Sequence, residues 1–300
     1  MVVQKWFTVM LWMLAAAGCT AQTKLEPLPK KMGNNTLLWE VSGKGAKQPF
    51  YLLGTMHLMC REDAALSKNV KEIVKRADKI YFELDMDDVL GMMGGLGEMK
   101  MKNGVKLKDL VTPEEYQRIK EYFSKHGQLP FGMVENFKPM LLASTVTENQ
   151  MNCQTQSGVE MMVMEENGGK KEILGLETMK QQAAIFDSIP YKDQVKELLK
   201  MVDSAGTGTT KSDLKELIAA YKSQQLKKIE AITLKSEPGL EAYMDLLLYQ
   251  RNRNWVAQIK KITGEKTLLF AVGAGHLVGN NGLLDLLKKE GYVLKPLKNQ

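Results

Sequence analysis

Thr267-Leu268-Leu269-Phe270-Ala271-Val272-Gly273-Ala274-Gly275-His276 is an unbroken apolar run that ends in a glycine turn and a histidine. A run of this length, apolar on both faces and bounded by glycine, reads as a strand buried inside a sheet. Phe50-Tyr51-Leu52-Leu53-Gly54-Thr55-Met56-His57 repeats the arrangement near the other end of the chain, again with glycine three residues before histidine. A helix and a further strand follow each copy. After His57 the helix spans 63–77, with Val70, Ile73, Val74 and Ala77 on one face, and the strand spans 79–85. In that strand Tyr81, Glu83 and Asp85 share one face and Ile80, Phe82 and Leu84 the other. After His276 the helix spans 283–290, Gly291 closes it, and the last strand spans 292–297. Two such units pair centrally and bring both histidines to the carboxyl edge of one sheet, where open α/β sheets bind ligands.

The rest of the chain fits around this frame. Leu37-Leu38-Trp39-Glu40-Val41 and the strand at 50–53, joined around Gly43-Lys44-Gly45, read as a hairpin. The middle, 107–263, is mostly helical. Thr112-Pro113-Glu114-Glu115 is a helix start with Thr112 as cap. Further helices are expected at 138–148, 158–166, 191–204, 211–220, 224–233 and 240–262, with a short strand at 172–176. Gly91 to Gly104, rich in glycine and methionine, reads as a mobile loop or lid. The expected class is α/β (mixed α+β), a central mixed sheet with surrounding helices.

Composition narrows the functional classes. Hydrophobic residues make up 44% and charged residues 25% of 300, which is globular usage. The net charge of +6 is dispersed, with no basic stripe interleaved with aromatics, which argues against nucleic acid as a partner. Three cysteines exclude a disulfide-dense mini-scaffold and a four-cysteine zinc site. Residues 1–18 carry Lys5, a short apolar core and small residues, the pattern of an export signal. Ala16-Ala17-Gly18-Cys19 looks like a lipobox that would place a lipid on Cys19; ordinary cleavage near Ala21 is the alternative. Residues 19–35, with Pro27, Pro29, Lys30 and Lys31, read as the lipidated cysteine and its tether, and 36–300 as one domain. The chain is therefore expected to be exported and membrane-anchored, facing the periplasm or cell surface. In that setting Cys60 and Cys153, 93 positions apart, are expected to form a disulfide, with two buried free thiols as the alternative.

Of three histidines, His126 sits at a helix end and reads as a surface residue. His57 and His276, each behind an apolar strand, form a transition-metal donor set when joined by a carboxylate, of which Glu83 is the best placed. Asp85 and Asp87 are weaker candidates. The plainer reading makes both histidines hydrogen-bonded loop residues. Arg251 continues the stripe of Met244, Leu247 and Leu248 toward the sheet, and Glu177 either assists the site or opens a helix. Met92, Met93, Met99 and Met101 either fill apolar gaps or offer thioether to Cu(I) or haem.

The chain resembles the TraB/GumN family, which includes TraB, PrgY and the Tiki proteins, and specifically its lipoprotein-like members common in Bacteroidetes. The resemblance rests on Tyr51-Leu52-Leu53-Gly54-Thr55-Met56-His57, Tyr81-Phe82-Glu83-Leu84-Asp85, Lys138-Pro139-Met140, Leu174-Gly175-Leu176-Glu177-Thr178, Arg251-Asn252 and Val272-Gly273-Ala274-Gly275-His276. It implies a fold related to erythromycin-esterase-like and haem-binding lipoprotein domains. It also implies a divalent-metal-dependent hydrolase, peptidase-like, with His57, Glu83 and His276 as metal ligands and Glu83, Glu160 and Arg251 as catalytic groups. Gly54, Thr55, Gly273, Gly275, Asn252 and Glu177 would support them. The metal would be Mn, Co or Zn, and the substrate a peptide or small molecule. The competing reading is an envelope lipoprotein that binds peptide, haem or metal without turnover. Oligomeric state is not legible.

Overall fold

The computed structural model describes residues 23–151, 153–205, 209–235 and 241–300; the signal-like segment 1–18 and Cys19 lie outside them. The strands are β1 (Leu38–Ser42), β2 (Phe50–Thr55), β3 (Met59–Cys60), β4 (Lys79–Leu84), β5 (Gln156–Ser157), β6 (Glu172–Glu177), β7 (Leu268–Gly273) and β8 (Val293–Pro296). The α-helices are α1 (Lys68–Arg76), α2 (Val89–Gly95), α3 (Pro113–His126), α4 (Phe131–Val134), α5 (Pro139–Asn149), α6 (Val159–Asn167), α7 (Met179–Asp187), α8 (Tyr191–Ala205), α9 (Thr209–Lys222), α10 (Leu226–Lys235), α11 (Gln250–Ile262) and α12 (Leu283–Lys289).

Six strands form one mixed sheet in the order β6-β4-β7-β2-β1-β8. The two strand–Gly–His units meet at its centre: β2 and β7 pair in parallel, with Thr55 beside Gly273. β4 lies parallel on the other side of β7 and β6 parallel beyond it. Four adjacent strands thus end on the same edge. The antiparallel β1 and β8 cover the far flank, and β3 pairs with β5 in a separate two-stranded ladder. Leu268, Leu269, Phe270 and Val272 of β7 are fully buried or nearly so. Each such side chain contributes roughly 1.5–3 kcal/mol, which makes β7 the anchor of the sheet.

Among the described residues the buried apolar side chains form two cores. One surrounds the sheet and includes α1, α6, α11 and α12; the other is purely helical and draws on α3, α4, α5 and α8. The carboxyl edge of the sheet faces the helical core across a cleft.

Three expectations change. The segment 91–104 is not a free lid. Helix α2 runs into 3-10 turns at Leu96–Met99 and Lys102–Gly104. Met101 is buried, its N–H donates to Asn136 O, and Met99 O accepts from Lys138 N–H. The span 240–262 is not one continuous helix: a 3-10 turn at Glu241–Tyr243 and a π-helical turn at Asp245–Tyr249 precede α11. The described part of the segment 19–35 does not hang free. Leu25 packs on the sheet core, Pro27 bridges Leu297, and the Asn69 side chain binds Glu26 through both its amide atoms. Among the described residues, no helix is long and apolar enough to cross a membrane.

Candidate active site at the carboxyl edge of the sheet

Each of the four parallel strands delivers one polar residue to the same edge. His57 follows β2, Glu83 is the penultimate residue of β4, Glu177 ends β6, and His276 closes the 3-10 turn that follows β7. Arg251 and Asn252 enter from the first turn of α11, and Glu160 from the first turn of α6. Helix α6 is held in place because Val159 N–H donates to Met56 O at 3.0 Å. Cys60 and Cys153 form a disulfide beside the β3–β5 ladder. Ladder and disulfide together tie the chain just after His57 to the chain just before Glu160.

Glu83 is the hub. Its Oε1 accepts from Gly273 N–H at 2.8 Å and stands 3.7 Å from Nε2 of both His57 and His276. Its Oε2 accepts from Arg251 Nη2 at 2.6 Å. Arg251 is itself pinned from behind. Glu177 accepts from its Nε and Nη2, Nη1 donates to Leu247 O, and Trp255 lies 4.8 Å from the guanidinium carbon. Trp255 also donates to Glu177 Oε1 and packs against the His276 ring.

Both histidines are oriented through Nδ1. Nδ1 of His57 lies 2.6 Å from Glu160 Oε1. Nδ1 of His276 lies 2.6 Å from Asn252 Oδ1, while Asn252 Nδ2 donates to Asn281 O. The amide therefore presents its oxygen to the imidazole, so His276 carries its proton on Nδ1 and turns the Nε2 lone pair inward. That lone pair faces Arg251 Nη1 at 3.1 Å.

The electrostatics follow from these partners. Burial drives His276 down to about 3 despite the nearby Glu83 carboxylate, so it is neutral at physiological pH. Desolvation also opposes charge on His57, yet Glu160 and then Glu83 raise it to about 9, although 63% of its side chain is open to the cleft. Burial alone would raise Glu83; His276, Arg251, His57 and the Gly273 N–H instead hold it at about 2. With His276 neutral, the standing positive charges beside Glu83 are Arg251 and the His57 imidazolium. Desolvation would also raise Glu160, but His57 and Thr55 bring it below the usual carboxylate range.

The glycines are required for space. Gly54, Gly273 and Gly275 all avoid positive φ. A Cβ on Gly54 would stand 2.7 Å from Leu277 Cδ1 and 2.8 Å from Leu37 Cδ2. A Cβ on Gly273 would stand 3.1 Å from Glu83 Oε1 and 3.4 Å from His57 Nε2, so its absence keeps open the point where the three donors converge. Gly275 packs less tightly, against Thr233.

Among the described residues, no group of three or more His, Cys, Asp or Glu side chains is spaced as a preformed metal cage. The donor chemistry nevertheless fits a divalent ion. Two imidazoles stand with Nε2 3.7 Å from one carboxylate oxygen, each with its Nδ1 on an orienting oxygen, the outer-shell pattern of metal-bound histidine; a cation would take the place of Arg251 Nη1 on His276 Nε2.

Other candidates lie elsewhere. His126 is exposed at the end of α3. Asp85 lines a separate cleft with Asp88 and Glu98. Met99 lines an apolar cavity in the helical half and Met101 belongs to its core, so both act as gap fillers; the side chains of Met92 and Met93 lie outside the described residues. Sequence reading missed Trp255 and Gln182, whose Nε2 stands 3.5 Å from Glu83 Oε2. Trp255 follows Arg251 by four positions on one helix, a spacing that would have placed the two side by side.

The chain is similar to known proteins over most of its length. The sequence profile of the TraB/PrgY/gumN family matches residues 37–296. Metalloprotease TIKI1 of Danio rerio is 22% identical over 92% of this chain and 65% of its own length. Metalloprotease TIKI1 of Homo sapiens is 23% identical over 91% of this chain and 64% of its own length. The uncharacterized protein YbaP of Escherichia coli K12 is 20% identical over 80% of this chain and 88% of its own. The chain thus spans just under two thirds of these TIKI proteins.

Proposed function

This chain belongs to the TraB/PrgY/gumN family, and from that premise we propose that it is a divalent-metal-dependent, peptidase-like hydrolase of the bacterial cell envelope. The observation that carries the reading is the convergence of His57 Nε2 and His276 Nε2 on one oxygen of Glu83, each 3.7 Å away, with Glu160 and Asn252 behind them. The name metalloprotease borne by the TIKI relatives supports it.

His57, Glu83 and His276 would hold the cation, which when bound supplies polarisation of the substrate carbonyl and a lowered pKa for water. The remaining work falls to the chain. Glu160 and Asn252 fix the two imidazole rings. Glu177 and Trp255 hold the Arg251 guanidinium against Glu83, where its charge stabilises negative charge developing on the carbonyl oxygen. Glu160, kept ionised beside the cleft, accepts the proton of the attacking water and returns it to the leaving nitrogen. The envelope location rests on Lys5, the apolar core after it and the lipobox ending at Cys19.

The test is metal content by mass spectrometry of protein purified without chelator, beside His57→Ala and His276→Ala, with hydrolysis of a quenched peptide pool as second readout. Near-stoichiometric metal that both variants lose, together with hydrolysis that fails in both, is the expected result. Absence of metal after dialysis against Mn²⁺, Co²⁺ and Zn²⁺, with no hydrolysis, would overturn the reading.

A further inference from the structure

The cleft over the sheet edge encloses about 670 Å³, within the roughly 300–1,000 Å³ range of ligand-binding clefts. Its two ends differ. One end holds His57, Glu83, Arg251 and His276; the other is walled by Ile185, Phe186, Met201, Met244, Leu247 and Leu248.

The two ends are joined by the same pair of helical segments. Gln182 on α7 reaches Glu83, and Ile185 and Phe186 follow it by three and four positions. Arg251 on α11 reaches Glu83, and Leu248 and Leu247 precede it by three and four positions on the π-helical turn. On α7 residues so spaced share one helix face, about one turn or ~5.4 Å apart; across the wider π-turn it is the Arg251 bond to Leu247 O that sets the two side by side. Two apolar pairs therefore line the cleft, each next along its helix to a residue whose side chain reaches the Glu83 carboxylate. All four are half-buried, so apolar surface is left uncovered at a built site. Arg251 Nη1 bonds to Leu247 O at 3.1 Å, which locks this wall to the reacting end. Away from that end, the charged residues lining the cleft are the carboxylates Glu148 and Glu197, the latter buried and paired with Lys200 at 3.5 Å.

We infer that this wall is the specificity pocket of the site. It seats one bulky apolar side chain, of the leucine, methionine or phenylalanine class, next to the susceptible bond, and Glu148 turns away acidic side chains. Two flexible methionines in the wall make it accept a class of shapes. The inference rests on the hydrolase reading for the bond being cut, but not for the binding preference.

The test is calorimetric titration of the full chain, and of its Glu83→Gln variant, with acetylated and amidated pentapeptides Gly-Ala-Xaa-Ala-Gly in which Xaa is Phe, Leu, Gly or Asp. The Phe and Leu peptides should bind at least about tenfold more tightly than the Gly and Asp peptides, as removal of several buried carbons predicts. Phe186→Ala and Leu248→Ala should each reduce that ratio, with Phe186→Leu replacing the first should it unfold. Equal binding across the panel, no binding at all, or a ratio that survives both variants would overturn the pocket. Mass-spectrometric cleavage of the same panel separates the two claims. Ranked binding without cleavage leaves the pocket standing and removes the hydrolase; cleavage without a side-chain preference does the reverse.

Discussion

His57 follows β2 and His276 follows β7, neighbouring parallel strands with the same glycine three residues upstream. The side chain of His57 is 63% exposed, rests on a carboxylate, and is raised to about 9; that of His276 is 6% exposed, rests on an amide, and is lowered to about 3. The motif fixes where each ring sits, while the residue behind Nδ1 and the access of water fix its proton. A charged imidazole at the rim, which would release its Nε2 proton on binding a cation, and a neutral one inside with a free Nε2 lone pair thus come from one repeated sequence pattern.

Removing what the two histidines share should have the largest effect. Glu83→Gln keeps the size of the side chain but removes the charge that faces both rings and Arg251. Hydrolysis of a quenched peptide should fall by about a thousandfold, with the circular dichroism spectrum retained.

The next effect separates the halves. The His57 side is stapled by Cys60–Cys153, which closes a loop of 93 residues, whereas packing holds the His276 side. The double variant Cys60→Ser/Cys153→Ser should lose about 4 kcal/mol in denaturant unfolding. A loss below about 1 kcal/mol would mean that the ladder and α6 suffice without the bond.

Asn252→Ala attacks the inner half alone. It removes the partner of a buried imidazole, so stability should fall by about 2 kcal/mol. It also frees the ring to place its proton on Nε2, and affinity for a divalent ion should fall between about tenfold and a hundredfold by competition with a fluorescent chelator.

The smallest effect is the pH dependence of the chelator-treated protein, where the two histidines act with opposite sign. His276 is depressed from 6.5 to about 3, so its contribution is present above 6.5 and lost as pH falls through 3. His57 is raised from 6.5 to about 9, so its contribution is present below 6.5 and lost as pH rises through 9. Glu83, lowered from 4.5 to about 2, adds to the acid limb only. The thermal midpoint should therefore peak near pH 6.5, and His57→Gln should flatten only the alkaline limb.

What could be read before the fold was known has a physical pattern. Strands β2 and β7 were legible because a strand buried on both faces must be apolar throughout. Glu83 was legible because it stands near a strand end beside aromatics, one unit downstream of His57. Arg251 declared itself by continuing a helical stripe. The β3–β5 ladder escaped because two residues per strand leave no periodicity. The π-helical turn escaped because Asp245-Leu246-Leu247-Leu248-Tyr249 has ordinary helical composition, and only the backbone bond from Gln250 N–H to Asp245 O, five residues back, marks it. Residues 23–35 looked unpacked because proline and lysine suggest extension; extension is what lets Pro27 lie along Leu297. Trp255 was hidden by its type, since a buried tryptophan reads as core until its N–H is seen to hold Glu177.

The account depends most directly on the proton states of the two rings, which imidazole ¹⁵N NMR of the chelator-treated protein reads, with assignments from single His→Gln variants. At pH 7.5, His57 should be doubly protonated, and His276 should be neutral with its proton on Nδ1 and remain so down to pH 5. Both rings titrating together near 6.5, or His276 protonated on Nε2, would contradict the claim that one motif is set in two opposite environments.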